Sequence, residues 1–244
     1  MHRIWPPRDA GELDDEALER LYRYPEGRWL AVNFVASADG AVALDGLARG
    51  LSNEPDRRVL RLGSDLADVL LVGSTTAMVE GFRGVHPDGE TAARRARHGL
   101  APVPPTAVVT TGGLPADAPV VTEAAVPTYV ITTEAAPEHK RAAWAAAGAT
   151  VVVAGEREVD LRLAVDELAA RGLEHVDCEG GAQLFGSLLA AGVVDELRLT
   201  VSPLLVAGSA SRIATGADID PARLELLSVV AEDDTLMLRY GVRR

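Results

Sequence analysis

The stretch Asp177-Cys178-Glu179-Gly180-Gly181-Ala182-Gln183 places two carboxylates, a thiol and paired glycines within a few residues of one another. The apolar spacing around it predicts a strand over 175–178 and a helix over 182–191. Two glycines between a strand end and a helix start let the backbone approach a ligand with no Cβ in the way. The unpaired N–H groups of the helix's first turn then face that ligand, a geometry for binding phosphate. An isolated Gly-Gly is more often only a tight connection. This pair gains weight from its surroundings, above all a second apolar strand predicted over 196–205 that contains Ser202-Pro203.

Other residues able to do chemistry stand at predicted element ends. Asn33 is the one polar side chain in the strand-like run 29–35, and Ser37-Ala38-Asp39-Gly40 follows as a strand exit into a glycine turn. Taken alone, Asp39 is a turn residue using its own backbone hydrogen bonds. Ser52 or Asn53 caps a helix predicted over 54–66, whose Pro55 suits a first turn. The apolar run 68–72 ends in Gly73-Ser74-Thr75-Thr76, where hydroxyls at a helix start can take phosphate or ribose oxygens or act as plain caps. Residues 81–105 read as irregular and carry Arg83, His86, Arg94, Arg95, Arg97 and His98. This basic cluster is the candidate mobile flap, with Arg83 reaching a phosphate, although most of such a charge run is more commonly a solvated loop. Its two histidines lack a spaced carboxylate or cysteine partner, so no metal site is expected.

The elements that must position these groups alternate. Strands are predicted over 106–110, 128–132 and 149–154, and helices over 137–147 and 160–171, the pattern of a largely parallel sheet with helices on both faces. The end of the chain differs, because 224–230 and 235–242 flank Glu232-Asp233-Asp234 as an antiparallel hairpin. Residues 1–28 read as a proline-bearing arm with a helix over 14–24, ahead of a domain over 29–244.

Composition narrows the function. A net charge of −12 argues against nucleic acid or an anionic membrane as partner. The single cysteine, Cys178, excludes an intramolecular disulfide and a cysteine-rich metal site, and points to a cytoplasmic protein. The N-terminus lacks the apolar core of a signal peptide, and no stretch is long enough to span a bilayer. There is no G-x-G-x-x-G after a strand, no P-loop, no G-x-S-x-G and no H-E-x-x-H. A Cys178 nucleophile lacks a base, since His175 would point to the opposite face of the strand.

The run E-G-G-A-Q-L-F-G-S-L-L-A-A-G-V-V-D-E-L-R-L-T-V-S-P-L-L-V resembles the C-terminal signature of the riboflavin-pathway pyrimidine reductases, the reductase half of a bifunctional deaminase/reductase. The resemblance implies an α/β, dihydrofolate-reductase-like fold: a mixed, mostly parallel sheet with helices on both faces and a C-terminal antiparallel hairpin. It implies that Glu179, Gly180, Gly181, Ala182 and Gln183 lie against NADPH, as do Gly73, Ser74 and Thr76. Asp39 becomes the catalytic residue, and Asn33, Ser52 and Arg83 the substrate contacts. Departures are Ala38 for the usual leucine, Ala41 for a frequent cation, Thr75 for a glycine, and a serine in the loop 207–211. The zinc-deaminase signatures are absent, which implies a stand-alone reductase. The implied reaction is NADPH-dependent reduction of the ribosylamino group of 5-amino-6-(5-phosphoribosylamino)uracil or a close relative to ribitylamino. Alternatives on the same fold are reduction of dihydrofolate or another pterin, and a non-catalytic nucleotide binder. The resemblance also implies a homodimer acting on a small heterocyclic substrate.

Overall fold

The computed structural model describes residues 1–216 and 218–243. In chain order the strands and α-helices are β1 (His2–Trp5), β2 (Gly11–Glu12), α1 (Asp15–Tyr22), β3 (Trp29–Ser37), α2 (Glu54–Leu66), β4 (Val69–Gly73), α3 (Ser74–Val79), α4 (Gly89–Arg97), β5 (Thr106–Val109) and α5 (Pro119–Thr122). They continue with β6 (Tyr129–Thr132), α6 (Glu138–Ala146), β7 (Thr150–Val153), α7 (Leu161–Ala169), β8 (His175–Cys178), α8 (Ala182–Ala190), β9 (Glu196–Ser202), β10 (Arg223–Glu232) and β11 (Thr235–Arg243).

All strands join one mixed sheet in the order β2-β1-β10-β11-β9-β3-β8-β4-β5-β6-β7. From β9 to β7 neighbouring strands run parallel; from β9 to β2 they run antiparallel. The expected hairpin is β10–β11, with Glu232 opposite Thr235. The mostly parallel sheet follows from the helical crossovers, and the apolar runs in β3 and β4 follow from burial on both faces.

Alternation along β3 separates the two layers. Leu30 and Val32 pack with Leu168 and Leu188 of α7 and α8, whereas Ala31 packs with Val59, Leu62 and Leu66 of α2 and Tyr22 of α1. Further along the sheet Val72, Val108 and Val130 close over fully buried Trp144, whose indole N–H donates to the Leu114 carbonyl at 3.0 Å. Helix α2 starts as expected, with the Asn53 carboxamide oxygen accepting from the Asp56 N–H at 3.1 Å and Pro55 in the first turn.

Two segments depart from the sequence expectation. The arm adds β1 to the sheet beside β10, and Tyr22 and Tyr24 are buried beneath it. The expected irregular flap contains α4, with Arg94 and Arg95 buried. Arg94 bonds Glu19 at 3.0 Å and Glu90 at 2.8 Å and also pairs with Asp65. Arg95 donates to the carbonyls of Asp65 at 2.9 Å and Ala67 at 2.8 Å, and so closes the C-terminal end of α2. Carboxylates and carbonyls thus satisfy Arg94 and Arg95, whereas Arg83 and Arg97 of the same segment stay largely in solvent.

Candidate active site

The C-terminal ends of β3, β4, β8 and β9 come together, the usual binding edge of an open α/β sheet. Backbone bonds place the Glu-Gly-Gly turn there: the Glu179 N–H donates to Leu71 and the Gly73 N–H to the Gly180 carbonyl, both at 2.9 Å. The Gly180–Gly181 peptide is cis and Gly180 has φ +87°. A Cβ on Gly180 would sit 3.1 Å from the Phe34 ring, and one on Gly181 would collide with Thr76 Oγ1. A side chain is therefore excluded at Gly181 by contact, and disfavoured at Gly180 by its backbone angle and by crowding against Phe34. Helix α8 begins at Gly181 with no side-chain cap, which leaves its first-turn N–H groups for a ligand.

Two cavities open on either side of this turn. The smaller, about 470 Å³, is lined by Asn33, Ser52, Glu179, Arg49, Arg57 and Asp56 among others. The larger, about 910 Å³, is lined by Gly73, Ser74, Thr110, Thr111, Gln183 and Glu158 among others. Thr76, Gly181 and Ala182 belong to both linings, so the cavities meet at the turn. Among the described residues no lysine, arginine or histidine lines the larger one.

Glu179 stands at this meeting point, surrounded by protein yet keeping part of its surface on the smaller cavity. Ser64 Oγ donates to its Oε1 at 2.8 Å and lies 3.3 Å from Asp177 Oδ2, so one hydroxyl bridges two carboxyls. Asp177 is fully buried. Asn33 Nδ2 and the Tyr24 hydroxyl, the latter at 3.2 Å, donate to its Oδ1, and Arg198 lies 3.8 Å away. Burial, partly offset by Arg198, pushes Asp177 up to about 6; burial and then the Asp177 charge push Glu179 up to about 7. Glu196 behaves oppositely: Arg198 and Arg239 overcome its burial and hold it at about 2. Asp177 and Glu196 therefore share the Arg198 guanidinium, with Arg239 on Glu196 as well, while Glu179 shares the Ser64 hydroxyl with Asp177.

The expected site residues separate into three groups. Gly73, Ser74, Thr76, Gly181, Ala182 and Gln183 border the larger cavity, while Asn33, Ser52 and Glu179 border the smaller one. Gly180 supports the turn through its carbonyl. Asn33 directs its Nδ2 to Asp177, so it orients a neighbour of Glu179. Arg83 pairs with Glu123 at 2.5 Å on the surface, outside both linings. Asp39 also lies outside them; it accepts from Ser37 Oγ at 2.5 Å and from the N–H groups of Ala207 at 2.7 Å and Val206 at 3.1 Å. The Ser37 bond first, then Ala207 and Val206, hold Asp39 down at about 2. In this arrangement the Asp39 carboxylate fastens the loop after β9.

Sequence reasoning did not single out Arg49, Arg57 or Asp56. Arg57 holds the Ser52 carbonyl at 3.2 Å. The available signal was position, since both Asp56 and Arg57 lie in the first turn of a helix whose cap was readable. Cys178 is buried, and burial pushes its thiol up to about 12, which leaves no thiolate. Among the described residues no group of three His, Cys, Asp or Glu is placed to hold a metal ion, and no helix is long and apolar enough to cross a membrane.

Comparison with known proteins matches residues 28–238 to the family model described as the RibD C-terminal domain. The chain is 31% identical over 226 residues to the 2,5-diamino-6-ribosylamino-4(3H)-pyrimidinone 5′-phosphate reductase of Methanothermobacter thermautotrophicus, covering 88% of this chain and 98% of that one. It is 27% identical to the reductase of the same name from Archaeoglobus fulgidus, covering 87% and 98%. Among solved structures, a pyrimidine reductase-like protein from Corynebacterium diphtheriae superposes with a TM-score of 0.76 at 23% identity, covering 89% of this chain and 92% of that one. These likenesses agree with the mixed sheet described above.

Proposed function

We propose, since this chain belongs to the RibD C-terminal domain family, that it reduces the ribosylamino group of a phosphoribosylaminopyrimidine to a ribitylamino group. The chain is an oxidoreductase of the pyrimidine reductase family, and its hydride comes from a reduced nicotinamide cofactor. The observation that carries the reading is the meeting of two cavities at Thr76, Gly181 and Ala182 with the Glu179 carboxyl on the wall.

The larger cavity fits a dinucleotide. Gly73, Ser74 and the α8 N-terminus from Gly181 to Gln183 would hold the diphosphate, and Thr76 and Gly181 would border the nicotinamide. When bound, the cofactor supplies hydride to C1′ of the sugar. NADPH is the choice implied by the resemblance, although among the described residues the larger cavity's lining offers its 2′-phosphate no cation.

The smaller cavity would take the pyrimidine and its sugar phosphate. Arg49 and Arg57 supply the positive charge that Ala41 does not, and Ser52 adds a hydroxyl. Opening the sugar breaks the C1′–O4′ bond and requires one proton for each hydride added. Glu179, with its pKa raised to about 7, holds that proton at neutral pH on the cavity wall. Ser64 and Asp177 orient the carboxyl. Asp39 acts at one remove, by holding the 206–207 backbone beside the end of β3. By the same resemblance the working form is a cytoplasmic homodimer.

The test is cofactor oxidation followed by absorbance, with the phosphoribosylaminopyrimidine and dihydrofolate offered separately and NADPH and NADH compared. Turnover of the ribosyl compound alone is expected. Turnover of dihydrofolate alone, or of neither with the cofactor bound, would overturn the proposal.

A further inference from the structure

The larger cavity leads away from its junction with the smaller one. Thr76, Gly181 and Ala182 mark the junction, and Ser187, Ala190 and Ala191 carry the lining along α8 away from that helix's N-terminus. The segment 158–161, between β7 and α7, lies at this far end, because Arg162 just beyond it donates to the Ala191 carbonyl at 2.5 Å. A dinucleotide with its nicotinamide at the junction and its diphosphate on the α8 N-terminus directs its adenosine ribose here.

The charge at this end is negative. Among the described residues the charged side chains lining the larger cavity are the carboxylates of Glu158 and Asp160; Arg157 stays outside the lining, and Arg162 is engaged with Ala191. Helix α7 does not offer its positive end to a phosphate either. The Asp160 carboxylate accepts from the N–H groups of Arg162 and Leu163, both at 3.0 Å, so the protein's own anion already occupies that end. The start of α8, by contrast, has no side-chain cap. Glu158 is presented by a tightly folded segment. The Asp160 N–H donates to the Ala154 carbonyl at 3.0 Å, the Gly155 carbonyl accepts from Glu134 at 2.9 Å, and a Cβ on Gly155 would collide with the Glu158 carbonyl oxygen.

NADH and NADPH differ at the adenosine 2′ position alone. The first presents a hydroxyl, which donates to a carboxylate, and the second a phosphate of charge about −1.5 to −2, which a carboxylate repels. We propose that this chain takes NADH in preference to NADPH, with Glu158 as the specificity-determining residue that accepts the adenosine 2′-hydroxyl and turns away a 2′-phosphate. The proposal rests on the dinucleotide reading of the larger cavity and replaces the cofactor that the resemblance implied. Glu158 is exposed, so solvent moderates the repulsion; a difference of about tenfold in dissociation constant is expected.

The experiment is fluorescence titration of the full chain with NADH and with NADPH, at salt from about 0.1 to 1 M. At low salt NADH should bind about tenfold or more tightly than NADPH, and the gap should narrow as salt screens the like charges. Glu158→Gln keeps an oxygen acceptor and removes the charge. It should bring the ratio within about threefold, chiefly by tightening NADPH, with thermal unfolding unchanged. Equal affinities in wild type, tighter binding of NADPH, or an unchanged ratio in the variant overturns the proposal while leaving the dinucleotide reading intact. Binding of neither cofactor sinks that reading, and this proposal with it. Should the variant fail to fold, the salt series on wild type decides alone: a preference for NADH that salt does not narrow removes the role given to Glu158.

Discussion

Replacing Glu179 by Gln keeps the shape of the side chain and removes its proton. The carboxyl goes from an ordinary value of 4.5 to about 7 on folding, because burial and the Asp177 charge both disfavour the ionised form. Two consequences follow with definite sign. In catalysis, wild-type kcat/KM should fall as pH rises through about 7, where the acid is lost. Glu179→Gln should lower kcat/KM by about 10²–10⁴-fold and flatten that limb. In stability, a raised pKa means that the folded state keeps a proton the unfolded chain has released. Stability therefore declines as pH rises from 4.5 to about 7 and levels off above, by up to about 3 kcal/mol for a shift of this size. The variant should lose much less over the same window. Stopped-flow or steady-state rates from pH 5.5 to 9, with cofactor affinity as control, measure the first; thermal unfolding at pH 5 and 8 measures the second. A variant within about threefold of wild type, or one that retains the basic limb, would refute Glu179 as the proton source.

Two further perturbations address the turn and the buried ion network. Gly181→Ala drives a methyl group into Thr76 Oγ1, an overpacking of about 1–3 kcal/mol where the two cavities meet. It should weaken cofactor binding by roughly ten- to a hundredfold, measured by fluorescence titration, and Thr76→Ala on top of it should recover part of the loss. Unchanged affinity would remove the turn from the cofactor site. Arg94→Ala leaves Glu19 and Asp65 facing one another without their shared cation, at 10% and 5% side-chain exposure. It should cost about 3–5 kcal/mol, lowering Tm by on the order of 10 °C at pH 7, where a loss under 1 kcal/mol would mean that water replaces the guanidinium.

What was legible in the sequence was local. The bounds of α2 coincide with the expectation because Asn53 and Pro55 mark its start by their own chemistry. The two glycines of the turn were readable because a tight approach to Thr76 and Phe34 leaves no room for a Cβ. The hairpin was readable because Asp233 and Asp234 both adopt positive φ, a turn that short acidic side chains tolerate. What was not legible depends on partners far along the chain. Helix α4 has a polar composition that suggests a solvated loop, and the groups that hold its buried arginines, the Glu19 and Asp65 carboxylates and the carbonyls of Asp65 and Ala67, come from other parts of the chain. Ser64 sits 113 residues from Asp177 and 115 from Glu179, so no spacing rule finds the hydroxyl that joins them. Asp56 looks like an ordinary helix-start acid until the cavity beside it is seen.

The strand order also governs how such a chain can be made. Strand β3 leaves the ribosome early, yet its partners are β8 and β9, and Ser37 must wait for Ser202. His2 waits longer still, for Ala231. At about 5–20 residues per second, the apolar face of β3 spends on the order of ten seconds or more without a neighbour during synthesis. Pairing over such separations is slow to nucleate even once the chain is complete. A polypeptide cut short before β10 would present β9 and β1 as open sheet edges, ready to pair with another copy. Productive folding of this enzyme is thus tied to the β10–β11 hairpin, and nascent chains that stall before it are the ones expected to need a chaperone.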